Sequence, residues 1–463
     1  MEHKDISEIL KNSRRIYFIG IGGISMSALA MIMKSNGFEV RGYDRDRSRA
    51  TGFLEDNGIK VFYEPREDNC AGSDLVVYTA AISETDPEMI SAKDKGIPCF
   101  SRAELLGTIA KRYENSIAIA GTHGKSTTSG MLSQIFLSYA DYDPTILIGA
   151  ELPSINSTYR TGHDKNFIFE ACEYKDSFLS FFPGIAVILN VEHDHPDYFK
   201  DMDQMVASFA KFLSNTGNDG KAVVNYDSPY ARKAAKGYGG ELYTFSLSGD
   251  KEADFTPGEI TFNRGMASFG VYFRGKKIYD VKLSVPGKHN VSNALAACAC
   301  AYLCGVPAEV VEKGLHDFKG VNRRFEYKGT FNGSSVYDDY AHHPDEIKAT
   351  LGAAKQFGAK KITVVFQPHT FSRLKEFFDD FTKAFENADQ VIFTDVYSAR
   401  ETNVYGVDSL LLSQNVPGSL YISEFDDIIK KLQETVGKDG IVIIMGAGSI
   451  NALTPKLLNS QAK

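Results

Sequence analysis

Between Ile119 and Thr128 the chain reads I-A-G-T-H-G-K-S-T-T, and no other stretch restricts the fold as strongly. Apolar residues 117–120 precede it and helix formers at 131–136 follow it, so a glycine-pinched loop joins a strand to a helix. A nucleoside triphosphate needs that context. Backbone N–H groups of Gly121, Thr122, His123 and Gly124 and the helix N-terminus can point at phosphate oxygens. Lys125 adds a mobile positive charge, and the hydroxyl of Ser126, with Thr127 beside it, can reach Mg2+. The strict phosphate-loop pattern starts with glycine where this chain has Ile119, and a bare G-K-S tripeptide is common in surface turns. The flanking strand and helix decide for nucleotide binding.

A chain of 463 residues has room for about three such units at ~150 residues each. Its 43% hydrophobic and 24% charged residues are those of an ordinary globular protein. The net charge of −8, with Lys and Arg dispersed, argues against a nucleic-acid partner. No apolar run approaches the ~18 residues needed to span a bilayer. The charged start, Met1-Glu2-His3-Lys4-Asp5, predicts no secretion signal. The six cysteines form no C-x-x-C pair, and Cys298, Cys300 and Cys304 in an alanine-rich stretch read as small core residues. A reduced cytoplasmic enzyme is the expectation.

The first block opens with a strand at Arg15–Ile19, the turn Gly20-Ile21-Gly22-Gly23 and a helix through Ser35. Strands at Glu39–Tyr43, 60–63 and Leu75–Tyr78 follow, separated by helical stretches. This alternation with short glycine turns predicts a parallel, doubly wound sheet. Ser25 stands where G-x-G-x-x-G would have its third glycine. Asp44, 22 residues past Gly22, occupies the usual place of a ribose-hydroxyl acceptor. A glycine turn for close strand–helix packing explains the pattern about as well.

The second block begins near Gly107 and holds the phosphate loop. A strand at Asn166–Glu170 and another at 184–190 deliver Glu170 and the run V-E-H-D-H-P-D, with His195 and Asp197, to strand ends. Ligands of open parallel sheets sit at the carboxyl ends of strands, so these groups should converge on the loop. A carboxylate is the natural Mg2+ ligand there, and histidine a less usual one. A hairpin of 267–273 and 277–283 around Arg274-Gly275 leads to Asn290 and Asn293, which open a helix over 294–303. Each amide could cap that helix or read a nucleobase edge.

The third block starts near Gly320 and includes Arg324. Its strands, at 335–337, Ile362–Phe366, 390–394 and 440–445, run into D-D-Y-A-H-H-P with His343, F-Q-P-H-T-F-S-R with His369 and Arg373, Asp395 and G-A-G-S. Polar clusters at strand ends predict a second doubly wound domain. Gly446-Ala447-Gly448 reads as sheet-to-helix packing, and the tail from Asn459 onward as loose.

Taken together, G-I-G-G-I-S-M-S-A-L-A, G-T-H-G-K-S-T-T, E-A-C-E-Y, N-V-E-H-D-H-P-D-Y-F, G-K-H-N-V-S-N-A, N-R-R-F-E, D-D-Y-A-H-H-P and F-Q-P-H-T-F-S-R resemble the Mur ligase family. The resemblance runs from Gly20 to Gly448. D-D-Y-A-H-H-P with F-Q-P-H is specific within the family, whereas G-T-x-G-K-[ST] is shared by all its members and by folylpolyglutamate synthase. Cys172 stands where many relatives have an acidic residue, and Thr370 where arginine is frequent.

The resemblance implies an α/β chain of three domains. Residues 1–107 would form a Rossmann-like domain for a UDP substrate. Residues 108–320 would form a central P-loop-type, mixed-sheet ATPase domain, and 321–463 a C-terminal Rossmann-like domain giving amino-acid and phosphate contacts. It further implies an ATP- and Mg2+-dependent amide ligase of peptidoglycan precursor synthesis, most like members joining L-alanine to the carboxylate of UDP-N-acetylmuramate. In this expectation Lys125 holds the β/γ-phosphates, Ser126 and Glu170 ligate one Mg2+, and His195 with Glu170 a second. Asn290 and Asn293 hold adenine, Arg324 reaches the phosphates, and His343, His369 and Arg373 line the muramate and alanine end. Gly20, Gly22, Gly23, Ser25 and Asp44 take the UDP part. A monomer or weak homodimer is expected, with no nucleic-acid or membrane partner. Carbamylation of Lys211, as of a lysine in some members, is open. So are a tripeptide- or D-glutamate-adding ligase of the same family, a nicotinamide-dependent dehydrogenase built on the first domain, and a non-catalytic nucleotide-binding regulator.

Overall fold

The computed structural model describes residues 6–79, 82–83, 85–196, 198–399 and 401–460, so the Met1–Asp5 start, Asp197 and the 461–463 tail lie outside the described residues. Three sheets follow one another along the chain. The first is parallel, in the order Lys60–Phe62, Glu39–Tyr43, Arg15–Ile19, Leu75–Tyr78, Cys99–Ser101. Four of the five residues of Arg15–Ile19 are buried, as a parallel strand covered on both faces requires.

The central sheet has 11 strands and is mixed. Asn115–Ala120 lies between Ile185–Ile188 and Asn166–Glu170, all parallel, so three neighbouring strand ends deliver the loops the sequence singled out. Thr145–Leu152 with Ser157–Arg160, and Lys221–Asn225 with Glu241–Phe245, are additional to the strands read from the sequence. The hairpin forms as Met266–Phe273 and Lys276–Pro286, its turn made by Arg274 and Gly275 at φ 48° and 80°. The helix expected over 294–303 starts earlier, at Lys288, because Gly287 at φ 100° turns the chain into it. Asn290 and Asn293 therefore lie inside the helix and do not cap it.

The C-terminal sheet has six strands in the order Glu326–Phe331, Ser334–Asp339, Ile441–Met445, Ile362–Phe366, Gln390–Phe393, Leu420–Tyr421, of which only the first pair is antiparallel. Gly446 and Gly448 serve packing: a Cβ on them would stand 2.7 and 2.5 Å from Gln367 atoms.

The seam between the first two domains is apolar. Leu106 and Ile109 of the helix Arg102–Ala110, which runs across the 107/108 border, share one buried cluster with Phe178, Phe181 and Phe209 of the central domain. Gly107 lets the helix approach, since a Cβ there would lie 2.0 Å from the Ser180 carbonyl oxygen. Gly107→Ala is therefore expected to cost roughly 1–3 kcal/mol, the usual range for overpacking against atoms that cannot yield. A urea midpoint equal to that of the parent chain would contradict this close approach.

Candidate active site between the central and C-terminal domains

The loop after Asn115–Ala120 is held rigidly from the neighbouring strand end. Asn190 Oδ1 accepts from His123 N at 2.8 Å while its Nδ2 donates to His123 O at 3.0 Å. Thr122 Oγ1 donates to Glu192 O and accepts from Glu192 N, at 3.1 and 2.9 Å. Gly124, at φ 85°, starts the helix Lys125–Leu137 without a side-chain cap, which leaves the first N–H groups for a ligand. A Cβ on Gly124 would stand 2.7 Å from Asn293 Oδ1, so this position also brings the loop against the helix that carries Asn293.

Lys125 Nζ donates to Thr122 O at 3.1 Å and to both Glu173 oxygens at 3.2 and 3.0 Å. Burial pulls the ammonium down, but Glu173 outweighs it and Lys125 stays above the ordinary lysine value. Burial likewise pushes Glu173 up, and Lys125 and His195 reverse the direction. Ser126 Oγ donates to Glu170 Oε2 at 3.1 Å, and Ser129 Oγ to Glu170 Oε1 at 3.3 Å. The Ser126–Glu170 pair is an all-oxygen donor set of the kind Mg2+ takes.

His195 sits at φ 54° with its N–H on Asp194 Oδ1 at 2.7 Å, and its ring Nε2 is 3.7 Å from Glu173 Oε1. The carboxylates nearest the His195 ring are thus Glu173 and Asp194, at 3.7 and 3.8 Å, rather than the expected Glu170. Glu173 escaped the sequence reading although E-A-C-E carried it three residues after Glu170.

The C-terminal domain closes over this floor through charged contacts. Glu346, on the helix Pro344–Gln356, is 3.3 Å from His123 Nδ1 and 3.2 Å from Arg324 Nη1, and it accepts from His342 N at 3.1 Å. Burial pushes the Glu346 carboxyl up, but the charges of Arg324 and His123 hold it well below the carboxylate range. Burial lowers His123, yet Glu192 and Glu346 lift it to about 10. Arg373 Nη2 donates to Asp194 Oδ1 at 3.0 Å, both side chains under a tenth exposed, and Arg373 Nη1 is 3.2 Å from His369 Nδ1. His343 packs 4.9 Å from the His123 ring and leaves its buried Nε2 without a hydrogen bond among the described residues.

Between the two domains lies a cleft of about 550 Å3, with Gly124, Thr127, Asn290, Asn293, Arg324 and Asp339 in its wall. Asn293 Nδ2 donates to Asn290 Oδ1 at 3.0 Å and Asn290 Nδ2 to Pro286 O at 2.7 Å, so the two amides act as one wall element. Burial lifts the Asp339 carboxyl to about 6. The sequence reading did not single out Asp194, Asp339 or Glu346 as site residues.

The structure thus brings Lys125, Glu170, His195, Arg324, His343, His369 and Arg373 to one seam. The turn Gly20–Gly23 lies apart, at the switch point of the first sheet. There Asp44 accepts from Gly22 N at 2.7 Å and Asp46 N at 3.2 Å, so it braces the turn.

Burial holds His289 and His369 near about 4 and His342 near about 3, below the ordinary 6.5. These imidazoles are neutral in the folded chain and take up protons on unfolding once the pH is below about 6.5. Their stability contribution is therefore complete above that pH and is lost as the pH falls toward about 4, with uptake approaching three protons. His123 has the opposite sign, its contribution complete below about 6.5 and lost as the pH rises from there through about 10. Urea midpoints should fall between pH 7 and 4.5. A flat profile would show these histidines already charged in the fold.

Comparison with known proteins supplies an independent result. The sequence profiles described as the Mur ligase family catalytic domain, the Mur ligase middle domain and the Mur ligase glutamate ligase domain match residues 15–114, 119–301 and 323–448. The UDP-N-acetylmuramate–L-alanine ligase of Caldanaerobacter subterraneus is 44% identical over 459 residues, covering 98% of this chain and 99% of its own. That of Agathobacter rectalis is 46% identical over 450 residues, 96% and 97% of the two chains. The structure of the Thermotoga maritima UDP-N-acetylmuramate–alanine ligase superposes with a TM-score of 0.80 at 28% identity, over 97% of this chain and 99% of that one.

Proposed function

Because the chain belongs to the Mur ligase family, we propose that it ligates L-alanine to the carboxylate of UDP-N-acetylmuramate at the expense of ATP, in peptidoglycan precursor synthesis. The observation that carries the reading is a phosphate loop whose Lys125 and Ser126 pair with Glu173 and Glu170, beside a cleft lined by Gly124 and Thr127 of that loop, Asn290 and Asn293 of the central domain and Arg324 of the last.

In this reading the muramate carboxylate attacks the γ-phosphorus of ATP, the P–O bond to ADP breaks, and an acyl phosphate results. The uncharged amino group of alanine then attacks that carbonyl, loses a proton and expels phosphate. Two anions must meet in the first step, so the chain's task is to suppress repulsion and stabilise the transferring group. Lys125 leaves Glu173 to hold the β/γ-phosphates, and the uncapped N–H groups after Gly124 meet the same oxygens. Ser126 and Glu170 would hold Mg2+, with His195 and Glu173 a further donor pair, and the ion would neutralise phosphate charge. Asn290 and Asn293 present amides to adenine, and Arg324 reaches the phosphates once they replace Glu346 as its partner. His343, with its unpaired Nε2, and His369 with Arg373 orient the muramate and alanine end.

The Gly20–Asp44 region takes the UDP part, which gives residues 1–107, 108–320 and 321–463 the roles of nucleotide-sugar, ATP and closing domains. The cytoplasm, with its ATP and reduced thiols, is the compartment of this reading, and all six cysteines are free. No helix among the described residues is long and apolar enough to cross a membrane. One chain carries every group named, so a monomer suffices.

Phosphate release measured with ATP, UDP-N-acetylmuramate and each amino acid in turn tests the assignment. L-alanine should be preferred over D-glutamate and over the tripeptide. Release driven by either of those and not by L-alanine would move the chain to another member of the family.

A further inference from the structure

Tyr174 stands against the imidazole of His195 yet has no part in the chemistry above. The two ring centres are 4.7 Å apart, with 38° between the planes. Tyr174 directly follows Glu173, so consecutive residues bring a carboxylate and an aromatic face to the same histidine. His195 Nε2 is 3.7 Å from Glu173 Oε1 and 3.8 Å from Asp194 Oδ2, beyond hydrogen-bond length. Neither carboxylate therefore fixes the plane of the imidazole, and the face of Tyr174 is left to do so. Tyr174 is half-buried and belongs to none of the apolar clusters, so its ring does not serve as core filling.

The chain is bent to make this contact. Lys175 and Asp176 follow at φ 52° and 56°, two successive left-handed residues that both carry side chains. Such backbone persists where its surroundings over-determine it, and here they do. Asp176 Oδ2 accepts from Tyr198 Oη at 2.7 Å, and its Oδ1 accepts from Ser208 Oγ of the helix Met202–Ser214. Tyr198 N and Phe199 N both donate to the His195 carbonyl oxygen at 2.9 Å. The loops that follow Asn166–Glu170 and Ile185–Ile188 are thereby tied together, with the Tyr174–His195 pair between the ties. The Tyr198 ring closes the side, 6.3 Å from the Tyr174 ring and at 70° to it. Groups that orient a metal-binding histidine without touching the ion commonly govern affinity or rate by about 10- to 100-fold.

We propose that Tyr174 is a positioning residue of the ligation reaction, its ring pressed onto His195 by the Lys175–Asp176 bend so that Nε2 stays turned toward Glu173. The inference rests on the reading of His195 and Glu173 as a donor pair given above. It adds that the pair is aimed before any nucleotide arrives, by an aromatic face that touches neither ion nor substrate.

Kinetics and NMR on the full chain compare three variants. Tyr174→Ala should lower kcat by about 30-fold and raise the Mg2+ concentration for half-maximal phosphate release about tenfold. KM for UDP-N-acetylmuramate, and for ATP at saturating Mg2+, should hold. Tyr174→Phe keeps the ring face and should stay within about threefold of the parent. In a His195→Ala background, Tyr174→Ala should cost less than about twofold more, because a residue acting through His195 has nothing left to act on. NMR of the metal-free chain with isotope-labelled histidine reads the contact without turnover. The His195 ring signals, assigned by their loss in His195→Ala, should carry a ring-current shift that vanishes in Tyr174→Ala and survives in Tyr174→Phe. Unchanged kcat in Tyr174→Ala, an additive loss in the double variant, or a His195 signal indifferent to residue 174 would each overturn the proposal. An equal loss in Tyr174→Phe would overturn it too, by moving the effect to the hydroxyl. Tyr174→Leu fills the space without a flat ring and carries the same tests should Tyr174→Ala fail to fold. If the parent releases phosphate with another amino acid instead of L-alanine, the functional reading moves, while the NMR signal still decides the ring contact.

Discussion

Lys125→Ala is expected to lower ligation by about 10³-fold or more while nucleotide-sugar binding holds. Lys125 is the cation nearest the uncapped helix end, 3.0 Å from Glu173 and 3.1 Å from Thr122 O, and it need only swing away from Glu173 to meet phosphate oxygens. The same pairing predicts a second effect. Truncation leaves Glu173, with no exposed side-chain surface, as a buried charge with only His195 beside it, which costs about 3 kcal/mol. Lys125→Ala with Glu173→Gln should regain that stability and remain inactive. Phosphate release assays beside thermal unfolding read both effects, and turnover within tenfold of the parent in a folded variant would remove ATP from this loop.

Arg324→Ala should raise KM for ATP by about 10- to 100-fold and leave nucleotide-sugar affinity unchanged. Arg324 comes from the start of the third domain yet lines the cleft above the phosphate loop, 3.2 Å from Glu346 Oε1, with its guanidinium 5.3 Å from the centre of the Tyr340 ring. Glu346 keeps His123 and His342 as partners in the variant, so the seam should survive the change. Calorimetry with a non-hydrolysable ATP analogue and with UDP-N-acetylmuramate separates the two sites. Normal ATP kinetics would mean that the third domain closes without touching the phosphates.

Local patterns predicted most of the first and last sheets, because a parallel strand buried on both faces announces itself as a short apolar run between helical stretches. The phosphate loop was legible for the same reason, its glycines, lysine and serine being consecutive. Pairings across domains were not. Asp194 meets Arg373 across 179 positions and His123 meets Glu346 across 223, and no spacing rule reaches so far. Asp44 makes a contact that the pattern does not show: the tight turn places its carboxylate on the Gly22 N–H. The helix that carries Asn290 and Asn293 began too late in the sequence reading because Gly287 can adopt the positive φ that starts it at Lys288.

The two seams of the molecule differ in kind. Phenylalanines and leucines join the first domain to the central one, whereas Glu346 with His123 and Asp194 with Arg373 join the central domain to the last. Dissolved salt acts on these bonds in opposite senses, weakening attraction between charges and strengthening apolar association when the ions are excluded from protein surface. The front two domains should therefore hold together as ionic strength rises, while the third loosens from them. Ionic strength then selects how often the cleft stands open, and nucleotide exchange should quicken in salt without any loss of the nucleotide-sugar platform.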